Sequence, residues 1–240
     1  MNTRDTRTYR PIPLALTMLI ALFSALVALA VAGSHDAAAH GNADEHAATS
    51  AAAVDNPERI SRSEFALRQE MRRLWEDHIT WTRLAIISLT TDSADTEATV
   101  GRLLQNQTDI GDAVKPFYGE AAGNELTRQL RLHILIAADV VAAARAGDQA
   151  ALADAQSRWL ANADDIAAVL NSVNPKYWEL ATMKAEMRKH LDLTTQEAVA
   201  RLQGNWTADV AAYDQIHEHI LHMSDLLSAG LVQQFPQRFR

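Results

Sequence analysis

The chain has 240 residues, 48% of them hydrophobic, with 9 glycines, 6 prolines and no cysteine. That is enough apolar material for one sizeable core, and it excludes disulfides, thiolate metal sites and cysteine nucleophiles. The formal charge of −8 disfavours nucleic acid as a partner, because phosphate backbones are bound through basic patches. Abundant alanine and the lack of any stretch alternating polar with apolar residues predict an all-α protein.

Arg4, Arg7 and Arg10 precede the apolar run "IPLALTMLIALFSALVALAVA", Ile12 to Ala32. A basic flank before such a run is the pattern of an export signal or a transmembrane anchor, and it places everything after Ala32 outside the cytoplasm. Length favours an anchor, since about 20 apolar residues span a bilayer. The small residues of "AVA" at Ala30 to Ala32 and "AAA" at Ala37 to Ala39 favour cleavage. Both readings give an extracytoplasmic protein, either periplasmic or secreted, or held in the cytoplasmic membrane. Without residues 1–39 the chain keeps 19 of 22 basic and 28 of 30 acidic residues, a formal charge near −9. Residues 40–60 read as an alanine- and histidine-containing linker, in which His40 and His46, with His35 if retained, offer loose metal ligands.

A bundle domain follows over residues 61–236. Leu67, Met71, Leu74, His78, Trp81 and Ala85 step by four and three, so a first helix runs from Ser61 or Ser63 to about Leu89 with His78 on its buried face. A second helix reaches Leu104. "NQTDIGDAVKPFYG" predicts a break at Asn106, a short continuation from Asp109 and a stop around Pro116 and Gly119. A third helix, Ala121 to Ala146, carries His133 in its stripe with Asp139 beside it. "AGDQ" supplies a glycine stop and an aspartate start for a fourth helix, Asp148 to about Leu170. "NPKYW" starts a shorter fifth helix, and "TTQE", Thr194 to Glu197, reads as a capping box opening the last helix, whose stripe includes Trp206, Asp209, Ile216, Ile220 and Met223. The expected architecture is an up-down antiparallel bundle of four long helices plus shorter ones.

His78, His133 and Asp209 project inward from different helices, with Arg83 and Asp139 at the edges of those faces. Buried charge must be paired, so these groups need one another, a water or an ion. Imidazole and carboxylate from facing helices can hold iron, copper, zinc or manganese, and His78, His133, Asp209 and His217 are the candidate metal ligands. The competing reading is a satisfied structural network. No Glu-x-x-His of the di-iron type occurs; Asp214 and His217 give the one Asp-x-x-His. In "HEHILHM", His219 and His222 form a secondary candidate pair at a spacing of three, expected on the surface because Ile216, Ile220 and Met223 already fill the buried stripe. The chain carries none of the common catalytic or phosphate-binding signatures.

"LWEDHITWTR", "NQTDIGDAVKPFYG", "WLANADDIAAVL" and "QFP" at Gln234 to Pro236 resemble, over roughly residues 65–236, a family of small bacterial all-helical proteins of uncharacterised role, found with and without an export segment. Members sometimes carry kinase or glycosyltransferase labels, for which this sequence offers neither a phosphate-binding loop nor an α/β unit. The resemblance implies an all-helical fold and no active site. Two readings stay open. One is an exported, non-catalytic bundle binding a metal or small ligand through inward His and Asp residues. The other is a membrane-tethered interaction or sensory domain, with self-association open, whose polar core is structural.

Overall fold

A computed structural model describes residues 60–240; the export or anchor segment and the linker lie outside the described residues. The described part is all-α. Helix α1 is Arg62–Thr91, α2 Thr96–Ala146, α3 Gln149–Val173, α4 Leu180–Leu202 and α5 Trp206–Gln234, followed by a 3-10 turn at Pro236–Arg238. Among these residues no helix is long and apolar enough to cross a membrane.

Local chemistry explains most boundaries. The Ser61 hydroxyl accepts from Glu64 N at the start of α1, and the Asp148 carboxylate accepts from Ala151 N at the start of α3. Gly147 ends α2 in the left-handed region, at φ 70°. Two expected boundaries fall elsewhere. Asn106 is no break: it lies in mid-helix, fully buried, with its amide donating to Leu74 O of α1. Thr194 and Glu197 do not cap the last helix, because α4 passes straight through them and the Thr194 hydroxyl donates back to His190 O. The cap of α5 is Asn205, accepting from Ala208 N after Gly204 at φ 69°. Polar residues taken as helix ends are polar residues with partners inside the bundle.

Helix α2 is formally 51 residues, yet Gly119 at φ 84° and ψ 171° breaks it into 96–118 and 120–146. The halves fold back on each other. Arg131 donates to Leu104 O, and Leu103 packs with Ile134. Gly111 faces Gly123 and Thr127 so closely that an added Cβ would sit 1.9 Å from Thr127 Oγ1 and 2.7 Å from Gly123 O. The bundle therefore has six rods of comparable length, where four long and some shorter helices were expected. Each rod runs antiparallel to the next, and α5 returns beside α1 through Arg72–Asp225, His217–Glu76 and Arg83–Asp209. The rods form a closed ring.

The apolar core runs along its axis through Met71, Leu74, Ile79, Ile110, Ile166, Ile216, Ile220 and Leu231, all nearly inaccessible. At one end Trp178, in the turn before α4, presses on Gly230 of α5, where a Cβ would meet Trp178 Nε1 at 2.0 Å. Asn174 of the same turn donates to Gly230 O.

Opposite signs are expected for two glycine replacements. Gly111→Ala should lower stability by about 1–3 kcal/mol, since the methyl meets backbone on one side. Gly101→Ala, with open space around it, should raise stability by about 0.5–1 kcal/mol by favouring helix. Urea unfolding of the two variants beside the parent measures both.

Candidate functional site

The polar interior consists of two clusters. The first is a run of rings. His78 of α1, His133 in the second half of α2, His190 of α4 and His219 of α5 are all buried. His190 lies among the others, with ring centroids 5.7 Å from His78, 6.0 Å from His133 and 6.3 Å from His219. Trp75 closes the run beside His78 at 5.6 Å and Trp159 beside His133 at 5.3 Å.

Hydrogen bonds hold the His78 and His133 rings. Gln107 Nε2 lies 3.2 Å from His78 Nδ1 and also donates to Leu103 O at 2.8 Å and to Asn106 Oδ1 at 3.1 Å. His133 donates from Nδ1 to Asn162 Oδ1 at 2.8 Å and accepts at Nε2 from the Trp159 indole at 3.2 Å. Asn162 is held in turn by donating to Gln129 Oε1. Both ring nitrogens of His133 are thus occupied by protein. Burial, helped by the neighbouring His133, pushes His78 down to about 3, and burial alone lowers His133 to about 4 against the bond to Asn162. His190 is held well below its usual range by burial and by the other imidazoles, and its Nδ1 has no partner.

The second cluster is ionic. Arg83 of α1 donates to Glu197 Oε1 at 2.6 Å and, as a fork, to Asp209 at 2.9 and 3.2 Å. Arg201 adds a bond to Asp209 at 3.1 Å. The two guanidiniums lie over the rings of Tyr213 and Trp206, at 4.7 and 4.9 Å. Glu197 and Asp209 are essentially inaccessible, while the arginines reach the surface with a fifth of their side chains. Burial pushes the Glu197 carboxyl up to about 7, against the pull of Arg83. Asp209 also sits in the first turn of α5, where the helix N-terminus favours a carboxylate.

Of the residues expected to form one site, His78 and His133 join the ring run, and Arg83 joins Asp209 in the ionic cluster. Asp209, grouped with His78 and His133 as one inward set, bonds to the arginines instead. Asp139 lies outside both clusters, exposed and bridged to Arg158 at 3.2 Å. His217 is at the rim, bonded to Glu76 at 2.6 Å. The expected surface pair is split: His222 is exposed, but His219 is buried, because the stripe of α5 is wide enough to include it beside Ile216 and Ile220. Among the described residues no three His, Asp or Glu side chains converge to hold a metal ion.

Sequence reading of the site missed Gln107, Asn162 and Glu197. Glu197 was legible in principle, since Met183, Met187, His190, Thr194 and Glu197 continue one stripe by fours and threes. A shallow groove lies on the outer face of α2, where Leu132 and Leu135 are exposed between Arg128 and Arg131.

The fold and these clusters define a class: an all-helical bundle with a polar interior, part of it paired within the protein and part of it, as at His190 Nδ1, Gln107 Oε1 and Glu197 Oε2, without a protein partner. In comparisons with protein-family models, with curated proteins and with solved structures, nothing matches the chain. The resemblance noted above rests on its sequence motifs.

Acid should unfold this protein. A histidine whose folded pKa is depressed binds fewer protons folded than unfolded, so its contribution is intact above about pH 6.5 and is lost as the pH falls toward 3–4. His78 and His133 each then remove about 1.4 kcal/mol per pH unit. The raised Glu197 acts in the opposite sense between about 7 and its ordinary value near 4.5, and adds nothing further below that. Melting temperatures should accordingly fall steeply below about pH 4.5, and His133→Phe should flatten the decline. A melting temperature constant from pH 6 to 4 would contradict burial of neutral imidazoles. Separately, Arg83→Ala strands the buried Glu197 carboxylate and leaves Asp209 to Arg201 alone, and should cost about 3–5 kcal/mol in urea unfolding at pH 8.

Proposed function

We propose that the chain is an exported, non-catalytic helical module that works through its surface as an interaction or sensory domain, with a structural polar core. One observation carries this reading. The inward groups that could have served as a ligand set are engaged by protein: His78 by Gln107, His133 by Asn162 and Trp159, Asp209 by Arg83 and Arg201. A metal or small ligand at this set would have to displace bonds that already satisfy buried groups, at a cost of about 1–3 kcal/mol for each one left unpaired.

Export is supported by the basic flank and apolar run before the domain. Action at the surface is supported by the exposed Leu132 and Leu135 and by Trp206 and Val210, which are more than half exposed on α5. The polar contacts serve to choose which rod packs beside which, a role buried polar groups fill in helical bundles where hydrophobic packing alone would allow several registers.

Two measurements bear on this reading. Fractionation of cells making untagged protein, followed by mass spectrometry of its N-terminus, should place it outside the cytoplasm, either cut after Ala32 or Ala39 or intact in the membrane; recovery from the cytosol refutes export. Adding zinc, copper, iron or manganese should give no stabilisation that depends on His78 or Asp209. A rise in melting temperature that disappears in both His78→Phe and Asp209→Asn makes the interior a metal site and overturns the structural reading.

A further inference from the structure

At the seam between α4 and α5, Glu186 faces His219 and His222. The His219 side chain is only 1% exposed, and its Nε2 lies 3.2 Å from the backbone carbonyl of Glu186. A carbonyl only accepts, so the proton is on Nε2 and the neutral ring presents a bare lone pair at Nδ1. Nδ1 lies 3.6 Å from Glu186 Oε2, and neither buried atom has a hydrogen-bond partner. Two acceptors face each other where water does not reach. Such an arrangement is repulsive unless something positive lies between them.

The other carboxylate oxygen faces a second imidazole. His222, one turn further along α5, has Nε2 3.7 Å from Glu186 Oε1. Separations of 3.6 and 3.7 Å are long for hydrogen bonds, yet close to the roughly 3.3 Å that separates neighbouring donors on one tetrahedral ion with bonds of about 2.0–2.1 Å. The N–H of His219 bonded to a backbone carbonyl is the outer support that orients a ligating imidazole and raises its basicity.

We propose that Glu186, His219 and His222 bind one divalent ion of the imidazole-preferring group, zinc or copper, at the α4–α5 seam, with a fourth position open to solvent. The three donors do not surround a single point in the conformation described. The His222 side chain, 60% exposed, has room to turn toward the pair. The site lies apart from the set His78, His133 and Asp209, so it is independent of the function proposed above and can fail without it.

The test uses untagged protein stripped with a chelator. Titration with zinc sulfate, and separately with copper sulfate, should show one equivalent bound by at least one of the two, with a rise in melting temperature. His222→Ala, exposed enough to leave the fold intact, should weaken binding at least tenfold, while His217→Ala and His78→Phe should not change it. Glu186→Gln should abolish the metal effect and raise the melting temperature of the metal-free protein, because an amide N–H can donate to His219 Nδ1 where the carboxylate cannot. Failure of both metals to bind, or binding unchanged in His222→Ala, overturns the site.

Discussion

Imidazoles, carboxylates and guanidiniums buried in a helical interior are costly unless they find partners, and the bonds they make across rods restrict how the rods can be arranged. His133 shows how tight the constraint is. Its two nitrogens are met by an asparagine and a tryptophan of α3, the asparagine is itself held by Gln129, and rotating any of these rods would break several bonds at once. The ionic cluster imposes a second restriction at another level of the bundle, because Arg83 has to reach Glu197 and Asp209 on two different helices. Hydrophobic burial drives the rods together. The polar contacts add a restriction on register that burial of apolar surface by itself does not carry.

Much of the helical frame was legible from spacing. The stripe through Met71, Leu74 and His78, the Ser61 and Asp148 caps and the Gly147 stop are all local signals, and the structure places them within a few residues of expectation. What spacing could not reveal was direction of bonding. Asn106 and Thr194 have the composition of helix ends, but Asn106 donates to a carbonyl of a neighbouring rod and Thr194 donates back to His190 O within its own helix. The hidden burial of His219 has a similar origin. A stripe drawn through Ile216, Ile220 and Met223 leaves that residue on the flank, but α4 packs broadly enough against α5 to cover it.

Partner choice within the polar clusters was less accessible still. Asp209 was a correct choice as a buried carboxylate and a wrong one as the partner of His78, because distance along the rods, not helix face, separates the imidazoles from the arginines. Asp139 failed for a different reason: six residues after His133, at about 100° per residue, turn it onto another face of the helix, where it meets solvent and Arg158. Face is a property of one helix and can be read from sequence. Height in a bundle depends on how all the rods are registered.

The return of α5 beside α1 has a consequence for how the domain assembles. Most other seams join segments that follow one another and form with short loop closures, the contact of α1 with α4 at Arg83–Glu197 being an exception. The α1–α5 seam brings together residues separated by 126, 141 and 153 positions at Arg83–Asp209, Glu76–His217 and Arg72–Asp225. Its entropy of closure is correspondingly the largest in the domain, though it grows only logarithmically with length. Local pairs can therefore accumulate first, with the ring shut afterwards by a junction rich in charge. The same junction is the natural place for the ring to part, leaving the sequential hairpins whole.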